Sequence, residues 1–191
     1  MPTSEEEKRF IRDRGWVREL STDRYCDILF TVPVPVDSIK GIETTESPAH
    51  IGNLSNAIDF VTDLGTELSS PHYGRVDNIK DDSDKGGDDP KYWFDGNFIR
   101  IRHRSDLFSY FEHLMYRGVR VKVGQTVQEG ELLGYTGNTG YTDEPHVHCE
   151  FQEPYGLGEN GYVTLRPRFR NFPDVFAGES FEEFRKALES R

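Results

Sequence analysis

Between residues 133 and 151 the chain reads LGYTGNTGYTDEPHVHCEF. A short apolar run enters, glycines interrupt it at 134, 137 and 140, and an extended segment leaves through Pro145-His146-Val147-His148. Glycine at this density opposes a helix and favours a tight turn. On a strand, side chains alternate between faces. His146 and His148 therefore point the same way, roughly 6–7 Å apart, and Val147 faces the core. Two imidazoles on one strand face are the beginning of a zinc site, which needs nitrogen, sulfur or carboxylate donors. By itself an HxH triplet is weak, because such triplets are common on surfaces.

The rest of the chain supplies short strands around this segment. Residues 26–32 (CDILFTV) read as a strand ended by Pro33, and 33–36 as a proline-interrupted extended connector. Residues 41–48 read as a polar loop. The run 57–61 (AIDFV) is a short strand with Ile58 and Phe60 on one face and Asp59 on the other. Gly65 and Gly74 bracket an expected hairpin. Residues 77–90 (DNIKDDSDKGGDDP) read as an exposed acidic loop that lacks the spacing and terminal glutamate of a calcium loop. Asp95-Gly96 within 92–102 is a hairpin signal between two apolar runs. Further strands are expected at 107–114 and across 119–134, where Gly124 and Gly130 mark turns, and 158–176 reads as loop-rich. Helices are expected at each end. One spans 4–20 with Ser4 as cap and Glu5, Glu6 and Glu7 in its first turn. The other spans 180–188, with Ser180 as N-cap and Glu183 at the capping-box position. Closely spaced strands with few helices between them imply a mainly β, antiparallel core with short flanking helices at both termini. Residues 1–40 are assigned as an N-terminal helix and extended segment packing on the core, 41–155 as the core, and 156–191 as a C-terminal loop and helix.

Composition narrows the function classes. The net charge of −11 with no basic stripe argues against nucleic acid and against docking on anionic membranes. No apolar run approaches the roughly 18–20 residues of a membrane span, so no integral membrane association is expected. The charged N-terminus has no apolar signal core, and the compartment stays unassigned. Cys26 and Cys149 make no disulfide framework. Cys149 is expected to point into the core, away from the histidine face.

Among six histidines, His50 precedes the Asp59 strand and His113 lies in the segment FEHL. Asp59 is the strongest carboxylate candidate, since an unpaired charge on a core strand would be costly. Taken together, four segments in order, His50 with AIDF and GTELSSPHYGRV, GNFIRIRH, FEHL, and VKVGQTVQEGELLGYTGNTGYTDEPHVHCEF, resemble the lysostaphin/LytM-type zinc metallopeptidases, which cut cell-wall cross-links. The resemblance covers residues 50–151. It departs from the family's pattern at Phe111, which replaces a tyrosine. The interval from His50 to Asp59 is also longer than the compact HxxxD form. It implies a β-sandwich or barrel-like core of the duplicated-hybrid-motif type. It implies that His50, Asp59 and His148 bind Zn2+ and that His113 and His146 are the catalytic pair. It further implies a monomeric endopeptidase acting on peptide or peptidoglycan bonds. The family usually acts outside the cytoplasm. There is no HExxH glutamate, so the histidines would handle the proton. The turn 137–140, Asn138, Tyr135 and Tyr141 are candidates for the groove border. Two other readings compete. One is a catalytically inactive LytM-like binding or regulatory module, although no ligand is missing here. The other is a biotinyl-type carrier, disfavoured because the hairpin tip offers no lysine.

Overall fold

The computed structural model describes residues 4–45, 47–155 and 161–190. Helix α1 (Ser4–Asp13) is followed by β1 (Tyr25–Phe30), β2 (Gly41–Glu43), β3 (Ile58–Val61), β4 (Glu67–Ser69), β5 (Gly74–Lys80) and β6 (Gly86–Gly87). Then come β7 (Phe98–Arg104), β8 (Leu107–Glu112), β9 (Thr126–Val127), β10 (Leu132–Tyr135), β11 (Gly140–Tyr141) and β12 (His146–Pro154). The chain closes with β13 (Tyr162–Thr164), β14 (Arg166–Phe169) and α2 (Phe181–Glu189). An eight-stranded antiparallel sheet runs β2-β3-β12-β8-β7-β5-β9, with β13 also paired to β12. Three two-stranded ladders flank it: β10 with β4 antiparallel, and β1 with β14 and β11 with β6 parallel.

The nine-residue β12 is the spine of this sheet. One of its faces carries Val147, Cys149 and Phe151, all fully buried. They join Ile58 and Phe60 of β3, Phe111 of β8, and Ile99 and Ile101 of β7 in one apolar core. Phe151 packs on Phe30 with ring centroids 4.3 Å apart and on Phe169 at 5.8 Å. Cys26, Val34, Leu165 and Phe181 belong to the same core, so the chain before residue 41 and the chain after 156 share it with the sheet. Both thiols are buried, and burial pushes Cys26 up to about 12.

Several local expectations change in three dimensions. The N-terminal helix stops at Asp13 rather than near 20, because Gly15 takes φ +66°. Trp16 and Val17 then turn onto a second small cluster with Ile11, Ile51 and Leu54. The side chain of Ser4, read as the cap, lies outside the described residues. Part of the polar loop 41–48 is a strand, β2, fixed by pairing to β3. No hairpin forms between Gly65 and Gly74: β4 pairs with β10, while β5 pairs with β7 and β9. The acidic loop 77–90 contains the end of β5 and all of β6, and Ser83 is buried. Asp95-Gly96 follows a single 3-10 turn, Pro90–Tyr92, capped by Asp89, instead of joining two strands. Trp93 stacks on Trp16 at 4.9 Å, so burial of the indoles overrides strand pairing there. Residues 119–123 form no strand in the main sheet, although Gly124 and Gly130 do take positive φ in turns. The stretch read as loop-rich from 158 contains β13 and β14, with 158–160 outside the described residues. The C-terminal helix is capped as expected, the Ser180 hydroxyl accepting from the Glu183 amide at 3.3 Å.

Phe151→Ala would open a cavity where three aromatic rings meet. It should lower unfolding free energy by about 3–5 kcal/mol in urea titration. A loss below about 1 kcal/mol would show that Phe30 and Phe169 close over the gap.

Candidate active site

Strand register builds the site. On the face of β12 opposite Val147, His148 lies directly across from Asp59 of β3 on one side and Glu112 of β8 on the other. Asp59 in turn lies across from Glu43 of β2. Directly opposed residues sit about 4.5–5.5 Å apart at Cβ, so Glu43, Asp59, His148 and Glu112 form a row across four strands. His146 stands two residues along on the same face. His50 enters from the loop before Gly52, whose neighbours Ile51 and Leu54 are anchored in the second cluster.

The row converges on one point. His148 Nδ1 is 2.8 Å from Asp59 Oδ1, His50 Nε2 is 3.1 Å from Asp59 Oδ2, and His50 Nε2 is 3.2 Å from His148 Nδ1. One donor atom from each of His50, Asp59 and His148 lies within 4.8 Å of the others, and all three residues are buried. Two imidazole nitrogens and a carboxylate oxygen are a donor set suited to a divalent transition metal. The opposite edges of the rings are already engaged. His50 Nδ1–H donates to the Thr44 carbonyl, which turns Nε2 toward Asp59, and His148 Nε2 faces Glu150 Oε1 at 3.0 Å, which turns Nδ1 toward Asp59. Such outer partners fix tautomer and ring orientation. Burial alone would raise the Asp59 carboxyl, yet His50, His146 and His148 hold it well below its ordinary range. Burial opposes charge on His148 too, but Asp59 and Glu150 raise it well above the usual imidazole value.

His113 arrives by a different device. On a regular strand it would face away from Glu112. Instead it takes φ +65° immediately after β8, a left-handed backbone that turns the chain and brings its ring 4.6 Å from that of His146. Such a conformation costs about 1–3 kcal/mol and persists where its surroundings hold it. Its Nδ1–H donates to the Thr139 carbonyl at 2.7 Å, and His146 Nδ1–H donates to the Glu144 carbonyl at 2.9 Å. Both rings therefore present Nε2 toward the cleft. Burial, with His146 and His148 adding to it, drives His113 well below the ordinary histidine range, so it is neutral. Behind it, burial pushes the Glu112 carboxyl up to about 7.

The segment carrying Thr139 is fastened by buried Asn97. Its amide donates to the Ser83 carbonyl at 2.8 Å and the Leu114 carbonyl at 3.3 Å, and its oxygen accepts from the Ser83 amide at 2.9 Å. Thr139 Oγ1 accepts from the Asn97 backbone N–H and donates to the Leu114 carbonyl. Gly137 and Gly140 permit the close approach: a Cβ at 137 would lie 2.3 Å from the Met115 amide nitrogen, and one at 140 would lie 2.7 Å from Gly96 Cα. Above the histidines opens a cleft of about 250 Å³, with Tyr141 on its wall. Asn138 is tied to Thr142 at 3.1 Å, and Tyr135 lies under the guanidinium of Arg120. His72 and His103 lie elsewhere, in T-shaped contact with each other and packed on Phe30, His103 bonded to Ser109. Residue type alone does not single out Glu112, Glu150 or Asn97; the signal for Glu150 is its i+2 spacing from His148 on the same strand face.

A sequence profile of Peptidase family M23 matches residues 53–162, more than half of the chain. The chain belongs to Peptidase family M23. The matched span holds Asp59, His113, His146 and His148, and it begins just after His50. Among curated relatives, the peptidoglycan DD-endopeptidase ShyC of Vibrio cholerae is 32% identical over 108 residues, covering 56% of this chain and 21% of that one. An uncharacterized metalloprotease of Haemophilus influenzae is 33% identical over 94 residues, covering 49% and 18%. The chain thus spans about a fifth of the length of the curated relatives it matches. Helicobacter pylori Csd3 shares the fold, with a TM-score of 0.50 at 20% identity over 86% of this chain and 42% of that one. Among the described residues no helix is long and apolar enough to cross a membrane.

Removing the Asn97 amide leaves buried groups of Ser83 and Leu114 without this partner. Asn97→Ala should cost about 2–3 kcal/mol of stability, read by chemical denaturation, and should loosen His113, read as broadening of its imidazole NMR signals. A variant as stable as the parent with unchanged imidazole signals would remove Asn97 from this role.

Proposed function

We propose that this M23 protein is a zinc-dependent endopeptidase that hydrolyses peptide bonds in cell-wall cross-links. The observation that carries the reading is the conjunction of two buried groups at one cleft. One is the His50, Asp59 and His148 donor cluster; the other is the histidine pair His113 and His146 beside it, each with Nδ1 held by a backbone carbonyl. The name of the ShyC relative supports the choice of peptidoglycan. The donor set fits zinc because the three ligating atoms face one another while the far edge of both imidazoles is occupied.

His50 Nε2, Asp59 and His148 Nδ1 would hold the ion. Zinc bound there supplies Lewis-acid polarisation of a carbonyl and lowers the pKa of its water ligand toward neutrality. His113 and His146 do the proton work. Each has Nδ1–H committed to a backbone carbonyl, so each can accept a proton at Nε2, and the resulting imidazolium can donate it to the departing amine. The protonated partner also stabilises negative charge developing on the substrate oxygen. The Glu150 carboxylate holds the His148 ring in its orientation throughout.

Purified protein should carry one equivalent of zinc by elemental analysis. His148→Ala and Asp59→Ala should lose it; retention in both would remove the ligand assignment. His113→Ala and His146→Ala should keep the metal while losing about 10²–10⁴-fold in turnover of cell-wall peptides. Zinc-replete protein that digests no wall preparation and no cross-link peptide would instead assign a binding or regulatory module. Because Asp59 and Glu150 raise the His148 pKa, binding at Nδ1 requires that ring to shed a proton. Zinc affinity should therefore fall by roughly tenfold per unit as pH drops below that raised value. A competition titration between pH 5.5 and 8 measures it, and a flat profile contradicts the coupling.

A further inference from the structure

Strand β11 has one edge paired and one edge open. It lies parallel to β6, with Gly140 across from Gly86 and Tyr141 across from Gly87. The Gly140 amide donates to the Lys85 carbonyl at 2.9 Å, and the Thr142 amide donates to the Gly87 carbonyl at 3.3 Å. Along a strand, successive residues direct their main-chain N–H and C=O groups to opposite edges. Gly140 and Thr142 therefore turn theirs toward β6, and Tyr141 turns its N–H and C=O the other way. Among the described residues neither group has a hydrogen-bond partner. Tyr141 lines the cleft over the histidines and the small adjoining cavity between Trp93 and Glu112. An unpaired donor and acceptor on a strand edge are a template for an added strand.

The segment that carries this edge also sets the two catalytic histidines. The Thr139 carbonyl accepts from His113 Nδ1–H at 2.7 Å, and Thr142 Oγ1 lies 3.3 Å from His146 Nδ1. Tyr141 stands between these two anchors. A chain paired to it is thereby placed along the segment that orients both rings. The segment is already rigid. Thr139 is fastened through Asn97, Gly140 takes φ +85° against Gly96, and Thr142 Oγ1 donates to the Glu144 carbonyl at 2.7 Å. Pairing here asks for little further ordering of the protein, and such preorganisation favours binding. The pattern of groups also selects the occupant. A lone amide or hydroxyl meets one of the two Tyr141 groups, whereas an extended peptide main chain meets both.

We infer that the substrate peptide binds as an added strand on β11, its main chain exchanging hydrogen bonds with the N–H and C=O of Tyr141. The inference rests on the peptidase reading above and says how that same site holds its substrate. Recognition at the paired residue runs through the main chain, so it tolerates different side chains there and rejects proline, which has no N–H to give.

The test uses zinc-loaded protein and a synthetic cross-link peptide. In a matched series, each amide outside the scissile bond is replaced in turn by an ester, which removes one N–H and leaves the side chains unchanged. The ester at the residue that donates to the Tyr141 carbonyl should lower kcat/KM by about threefold to tenfold and should stand out from its neighbours. Hydrogen exchange of the Tyr141 amide, followed by NMR, checks the partner directly. A saturating analogue whose scissile amide is reduced to a methyleneamine should slow that exchange at least about tenfold. The Gly140 and Thr142 amides, already bonded to Lys85 and Gly87, serve as the reference. A uniform ester series with normal cleavage of the parent peptide overturns the pairing and leaves the peptidase reading standing. An unchanged Tyr141 exchange rate in the saturated complex also overturns it, since any sensitive ester would then report a bond made elsewhere. If the parent peptide is not cut, the peptidase reading fails for that peptide, and hydrogen exchange decides the pairing alone. Protection of the Tyr141 amide by bound peptide supports it; no protection, or no binding, overturns it.

Discussion

The structure depends on the register in which β12 is held between β3 and β8. A slip of one residue would exchange the two faces of the strand. His146 and His148 would enter the apolar core, and Val147 and Cys149 would take their place in the cleft. The register is set by what the core face buries. Val147, Cys149 and Phe151 meet Ile58, Phe60 and Phe111 in one buried core, and a one-residue slip would turn all three out of it. The hydrophobic effect thus positions the polar row Glu43, Asp59, His148 and Glu112 without any polar interaction having to choose it. The cost is four ionisable groups brought together at a partly desolvated place, and their shifts record it: Asp59 held low by the histidines against burial, His148 held high by Asp59 and Glu150 against burial, and Glu112 pushed up to about 7 by burial.

The second constraint is orientation. Each of the four histidines in the site has one nitrogen tied to a fixed partner: Thr44, Thr139 and Glu144 carbonyls for His50, His113 and His146, and the Glu150 carboxylate for His148. Three of these partners are backbone groups in loops. Loops therefore matter as much as strands, and they are braced accordingly. Asn97 locks Ser83, Leu114 and Thr139 together, and glycines at 137 and 140 let the backbones touch. The left-handed turn at His113 is the strained point that this bracing sustains.

The N-terminal segment reaches the cleft through packing. Trp16 stacks on Trp93, Trp93 approaches Tyr141 at 6.1 Å, and Tyr141 lines the cleft. This aromatic chain carries α1 to the mouth of the site, where Glu7 joins carboxylates from β2 and two loops. The overall acidity of the chain, which by itself says little beyond solubility, acquires a location there.

Residue type and spacing by themselves determined the β class, the terminal capping of α2 and the core assignment of Cys149. They also determined that Asp59, His146 and His148 stand on strand faces away from the core. Period-two alternation is a local property, and each strand expresses it alone. The family resemblance added His50 and His113, whose positions no local periodicity implies. What only the tertiary structure decided is how the strands pair and where loops bring their groups. The hairpins read at Gly65–Gly74 and Asp95-Gly96 do not form, because β4 finds β10 and Trp93 finds Trp16 over distances that local turn chemistry cannot see. His113 faces the cleft against strand alternation because its backbone reverses hand, supported by contacts from Thr139, 26 residues away. The convergence of three donors within 4.8 Å belongs to this same class of fact. It comes from the register of β12 against β3, together with a loop anchored in a separate apolar cluster, and both are settled by burial of side chains distant in the chain.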